Sequence, residues 1–263
     1  MAIGRRAGLI GILTALLCSP AFAEGVLQVG SYPSNPPYEF KDDTGAFQGF
    51  EIDLVNAVAA KLGMTVAITD LGFQALFAAT ASRRVDVAIS SITVTQERLK
   101  NQDFTQPYLD DGLALIAGSA SRLKTMEDVR GATLGAIASS TGETWIKANT
   151  ERLGIAGAKS YDTAANMFLD TANGRVDGSV NDSAGSLYAF KSMRGMRTVV
   201  TMPAEQHIGM MLPKGSALTP KVNDAISGLK QDGTVARLFA KWFGAEAPAN
   251  SSTVKVVALP HAE

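Results

Sequence analysis

Short apolar runs alternate with stretches of helical periodicity along most of this chain. Residues 26–29 and 64–69 are brief and rich in β-branched side chains, which predicts strands. Between them Ile52, Val55, Ala59 and Leu62 recur at spacings of three and four, the apolar face of an amphipathic helix. Further strands are predicted over 85–90, 113–118, 132–138 and 176–180, and helices over 143–153, 163–173 and 183–193. Strands alternating with helices imply parallel sheets covered by helices on both faces. In such sheets ligands bind beyond the carboxyl ends of the strands, where loops and helix N-termini converge.

One such strand end is chemically loaded. In "SSITVTQERLKNQDF" (90–104), the buried-strand pattern of Val85-Asp86-Val87-Ala88-Ile89 stops at Ser90, and Thr95 is placed to cap a helix opening over 96–100. Ser90, Ser91 and Thr93 therefore fall in a strand-to-helix connection, with Arg98 one turn further on. A weak internal echo links "RRVDVAISS" (83–91) with "NGRVDGSVND" (173–182): each has an arginine ahead of Val-Asp, then a short strand with a polar end. The echo suits two similar α/β lobes. The first would offer Ser91, Thr93 and Arg98, the second Asn181 and Asp182. A cation with hydroxyls facing a carboxylate suits a zwitterion.

The N-terminus bears on compartment. Arg5 and Arg6 precede an apolar stretch over 7–17, followed by Ala21-Phe22-Ala23, so residues 1–23 have the form of a cleaved export signal and the mature chain is expected to begin at Glu24. That stretch is too short for a permanent membrane span, so a soluble, periplasmic protein is expected. Leu17 stands where a lipoprotein signal would carry a small residue, which argues against an anchor at Cys18. Cys18 is also the only cysteine, so a mature chain would have no disulfide, thiol nucleophile or thiolate metal site. A formal net charge of −1 and a pI near 6.2 give no basic face for nucleic acid.

At its loaded strand ends the chain resembles the family of bacterial extracellular solute-binding proteins that capture polar amino acids for ABC importers. "PPYEFKDDTGAFQGFEIDL" (36–54) resembles that family's first-strand and first-helix signature. "SSITVTQERLKNQDFTQPY" (90–108) is similar to its ligand loop, and "LPKGSALTPKVNDAISGLKQDGTVARLFAKWFG" (212–244) to its C-terminal helices. The resemblance implies an α/β fold of the two-lobed, type II periplasmic-binding-protein kind, with two strands crossing between mostly parallel sheets. Lobe 1 would comprise 24–110 plus 207–247 and lobe 2 would comprise 111–206, leaving 248–263 as a disordered tail in which "VKVVAL" could form a short edge strand. It implies further that Arg98 holds the ligand carboxylate, assisted by Thr93 and the backbone around Ser91. Asp182, with Asn181 beside it, would accept the α-ammonium, and Phe73 would form an apolar wall. "SSTG" (139–142), with Thr141 and Gly142, would aim backbone amides at the carboxylate.

Three positions depart from the family pattern. Tyr32 stands where many relatives have an acidic residue, Asn35 where they have a sandwiching aromatic, and Ala138 where glutamine binders have a lysine. The clamp for the α-amino-acid group is kept while the side-chain pocket differs, so the ligand is expected to be neutral unless Glu143 turns into the cleft. A monomer without cofactor or metal, working with an importer's membrane permease, is the implied partner scheme. Two rivals are a periplasmic enzyme on the same fold, dehydratase-like, and a protein presenting its ligand to a sensor. For an enzyme the residues offer little: "SRLK" and "SGLK" match Ser-x-x-Lys without its companion motifs, and His207 and His261 lie far apart in the sequence.

Overall fold

The computed structural model describes residues 25–191 and 193–263, with the side chains of 203–205 excepted. The expected export signal, Cys18 and the start at Glu24 lie outside the described residues. Thirteen strands and eight α-helices follow in chain order: β1 (Gly25–Ser31), β2 (Ser34–Asn35), β3 (Glu39–Lys41), β4 (Phe47–Gln48), α1 (Phe50–Lys61), β5 (Met64–Asp70), α2 (Phe73–Ala81), β6 (Val87–Ile89), α3 (Gln96–Leu99), β7 (Gln102–Phe104) and β8 (Leu109–Gly118) form the first half. The second half holds β9 (Thr133–Ile137), α4 (Thr141–Leu153), β10 (Gly157–Tyr161), α5 (Ala164–Ala172), β11 (Gly178–Asp182), α6 (Ser183–Ala189), β12 (Met196–Ile208), β13 (Met211–Pro213), α7 (Leu218–Gln231) and α8 (Thr234–Phe243).

These elements build two five-stranded sheets, ordered β5-β1-β6-β13-β7 and β10-β9-β11-β8-β12, beside a small β2-β3-β4 sheet. β1 pairs in parallel with both β5 and β6, and β9 does so with β10 and β11. The predicted alternation of strand and helix therefore yields two α/β lobes. α1 shows why. Its Ile52, Val55, Val58 and Ala59 are buried against Leu27, Val29 and the α7 face of Val222, Ile226 and Leu229 in one core, while Asn56 and Ala60 face outward. The second lobe has its own core of Leu115, Leu134, Ile146 and Val180. Burial of this scale is the main driving term for each lobe.

Two long strands join the lobes. β8 and β12 run antiparallel, from Met196 opposite Gly118 to Ile208 opposite Leu109. β8 begins at Leu109, ahead of the expected 113, because Asp110 and Asp111 interrupt the apolar run although their backbone pairs with His207 and Gln206. α6 ends at Ala189, short of the expected 193.

The tail departs further from expectation. "VKVVAL" is not a strand, and 251–257 lies against the crossing region instead of running free. Thr253 is buried. The Ser252 N–H donates to Asp110 Oδ2 at 2.7 Å, and the Val257 N–H to Gln106 Oε1 at 3.1 Å. Lys230 Nζ, itself buried, donates to the carbonyls of Pro107 at 2.6 Å and Lys255 at 2.8 Å. A buried ammonium requires such acceptors, and the tail provides one of them.

Candidate functional site

The carboxyl ends of β1, β6, β9 and β11 converge on one cavity between the lobes. Its lining includes all ten residues named from the sequence: Tyr32, Asn35, Phe73, Ser91, Thr93, Arg98, Thr141, Gly142, Asn181 and Asp182. It adds three that sequence reasoning missed, Ile137, Ser140 and Ala164. Ser140 stood inside the quoted "SSTG". Ala164 offers only a backbone N–H, which leaves no trace in residue type.

The first lobe's contribution rests on a short loop held from behind. Thr95 caps α3 by accepting from the Arg98 N–H at 3.2 Å, as its position before the helical turn predicts. Ser91 adopts φ 43°, a left-handed conformation uncommon for serine. Its N–H is held by Glu51 Oε2 at 2.8 Å, and Glu51 also accepts from the Tyr108 hydroxyl. Ser90 points the other way, donating to Glu39 Oε1 at 2.8 Å. Burial, and then the neighbouring Glu51 charge, push the Glu39 carboxyl well above its ordinary range. This buried acidic pair, linked to Tyr108 at the start of the crossing region, holds Ser91 in its strained conformation.

Arg98 sits at the junction of the lobes. Nη1 donates to the Thr93 carbonyl at 2.8 Å and Nη2 to the Ser139 carbonyl at 3.1 Å, across the cavity. The guanidinium lies 4.9 Å from the Phe77 ring centroid and 5.9 Å from that of Phe73, so aromatic faces support it. Burial lowers its pKa to about 10, opposed by the Asp182 charge, which still leaves it cationic at neutral pH. The Thr93 hydroxyl, expected beside it as an assistant, donates to Gln206 Oε1 at 2.7 Å.

Across the cavity, Ser139 is also left-handed, at φ 64°, and Ser140 caps α4 by accepting from the Glu143 N–H at 3.1 Å. Gly142 is required by packing: a Cβ there would meet the Val180 carbonyl oxygen at 2.6 Å. Asp182, at the end of β11, accepts from Ser91 Oγ at 3.0 Å, and Ser91 Oγ accepts from Asn35 Nδ2 at 2.9 Å. Burial pushes the Asp182 carboxyl up to about 7, with Asp111's charge adding, while Ser91 and Arg98 pull it back. Tyr32 packs edge-on to Phe73 and accepts from the Ala164 N–H at 2.8 Å. Burial raises its phenol to about 12, so it stays protonated.

Two sequence expectations resolve here. Glu143 does not line the cavity: it accepts from the Ser139 N–H and the Ser160 hydroxyl, and pairs with Lys147 at 2.9 Å. Ala138 lies outside as well, in a neighbouring surface hollow with Gln74 and Tyr161, so it leaves no space in the cavity itself. Among the described residues, no cluster of three or more His, Cys, Asp or Glu side chains could hold a metal, and no helix is long and apolar enough to cross a membrane.

Comparison with known proteins gives the family and the fold. The chain is 30% identical over 226 residues to the L-cystine-binding protein TcyJ of Escherichia coli K12, covering 84% of each sequence. Among solved structures it is similar to an ancestral arginine-binding protein bound to arginine (TM-score 0.80, 34% identity, 84% of this chain and 99% of that one). It is similar also to an ancestral arginine-binding protein bound to glutamine (TM-score 0.79, 34% identity, with the same coverage). Residues 27–245 match a single family model, and the chain belongs to the bacterial extracellular solute-binding proteins, family 3.

Proposed function

We propose that this protein captures a neutral amino acid or close analogue between its lobes and delivers it to an ABC importer, acting as a monomer outside the cytoplasmic membrane. Lobe 1 comprises 24–110 plus 207–247 and lobe 2 comprises 111–206, so that β8 and β12 serve as the hinge. Arg98 takes the α-carboxylate through a planar, two-pronged, charge-assisted contact. The amides at the start of α4 assist it, and Asp182 takes the α-ammonium. The observation that carries this reading is the placement of one cation and one carboxylate on opposite lobes of a single cavity. The ligand then bridges what closes.

Neutrality follows from the rest of the lining. Among the described residues Asp182 is the only carboxylate lining the cavity, and the ligand's own ammonium uses it. A cationic side chain would therefore be buried without a partner, which is strongly unfavourable. This favours a ligand like that of the glutamine complex over arginine.

A thermal-shift screen of amino acids, opines and betaines on the wild type and Arg98→Ala tests the proposal. A hundredfold excess over the dissociation constant stabilises the bound state by about 2.7 kcal/mol, or on the order of 5–10 °C for a chain of this size. The shift is expected with compounds bearing both a carboxylate and an amine, and it should vanish in Arg98→Ala at the same concentrations. If no such compound moves the wild-type transition, amino-acid capture is wrong.

A further inference from the structure

Asn181 is nine-tenths buried, lines the cavity, and its Nδ2 has no hydrogen-bond partner. A buried amide donor left unpaired is costly, and folded proteins carry few of them. Strand geometry explains its direction. Along β11, Val180 faces the α4 side, in the core with Ile146. Ser179 faces α5 and accepts from the Thr171 hydroxyl at 3.0 Å. Alternation puts Asn181 on the α5 side with Ser179, toward Ala164 and Tyr32 in the cavity wall.

Tyr32 presents a second donor at that end of the cavity. Its oxygen accepts from the Ala164 N–H at the first turn of α5 and also neighbours the Ser34 hydroxyl, and the phenol's own hydrogen can turn to a ligand acceptor. Phe73 stands edge-on beside it as an apolar wall. Asn181 and Tyr32 are thus two neutral donors in the cavity lining, with the Arg98 guanidinium 5.9 Å from the centroid of the neighbouring Phe73 ring. Asn35 is already committed through Nδ2 to Ser91.

We infer that Asn181, with Tyr32, reads the tip of the ligand's side chain, selecting neutral amino acids that end in an amide carbonyl over those with aliphatic or charged ends. This rests on the capture reading and narrows it. A site built to hydrogen-bond a substrate group rejects the analogue lacking it, because its own polar atoms stay unpaired. The orphan amide is thus satisfied by an acceptor-tipped ligand and by no aliphatic one.

Calorimetric titration of glutamine, glutamate, leucine and lysine against wild type, Asn181→Leu and Asn181→Asp tests it. In the wild type, glutamine should bind at least about tenfold tighter than leucine, and tighter than glutamate, whose side-chain charge has no partner once Arg98 holds the α-carboxylate. Asn181→Leu keeps the bulk without the donor, so the preference over leucine should collapse by about tenfold. Its thermal transition should not fall, since an unpaired buried donor has been removed. Asn181→Asp keeps the shape and places an acceptor there, so glutamate should weaken further and lysine should gain. That gain is something a merely structural residue would not produce. If both variants retain the wild-type ratio of acceptor-tipped ligand to leucine, the inference is overturned while capture stands. If the wild type binds none of the four, nor any other amino acid, the capture reading falls and this inference with it.

Discussion

On the capture reading, Asp182 governs the pH dependence of the site. Burial pushes its carboxyl up to about 7 in the fold, against an ordinary value of 3.8. The folded state thus holds a proton that the unfolded chain has lost. This contribution to stability is fully present below about pH 4 and is lost as pH rises through about 7. Ligand binding has the opposite sense, because an ammonium needs the ionised form. Affinity for a neutral amino acid should therefore fall by up to about tenfold per pH unit below 7 and level off above it. Titrations from pH 5 to 8 check this, and Asp182→Asn should bind weakly with a flat profile; a flat wild-type profile would count against the assignment. Arg98, in the helix after β6, and Asp182, at the end of β11, stand out in the sequence as charges near strand ends, and their roles there come from the family resemblance. Ser91 is named from the sequence as a site residue and Ser90 is not, but residue type alone does not give the reason. Only the backbone turn at Ser91, held by a glutamate 40 residues earlier, sends one hydroxyl into the cavity and the other toward Glu39.

Elements whose apolar period was clean, such as α1 and β5, were legible, and those defined by long-range polar contacts were not. The start of β8 and the course of the tail belong to the second kind, since Asp110, Gln106 and Lys230 find their partners only in the fold. Lys230 shows what holds the tail. Burial lowers its pKa to about 8, opposed by Asp110's charge, and its ammonium reaches Gln106, Pro107 and Lys255. Lys230→Met would relieve the buried charge but leave those acceptors without a donor. Unpaired buried groups cost about 1–3 kcal/mol each, and relief of the charge offsets part of that. A net loss of about 1–2 kcal/mol is expected, which lowers the melting temperature by roughly 2–8 °C. Hydrogen exchange gives the local readout: the Val257 amide should lose protection in the variant. Unchanged protection there would mean that the tail is held by other contacts.

At the scale of the molecule, two lobes, each with a core of its own and joined by a third apolar cluster that draws on both, meet around a cavity whose walls supply one charge of each sign. Direct contacts already link the walls, from Arg98 to Ser139, Ser91 to Asp182 and Tyr32 to Ala164. A ligand that replaces or extends these contacts favours the closed arrangement through its differential affinity for it. On the capture reading the side chain's charge then decides selectivity, since Tyr32 puts a neutral phenol in the wall and Glu143 is turned to Ser160 and Lys147. The most direct measurement is a calorimetric comparison of glutamine and arginine on the unmodified protein at pH 7.5. The account predicts that glutamine binds at least about tenfold more tightly than arginine, a difference of ~1.4 kcal/mol. Arginine as the tighter of the two would contradict it.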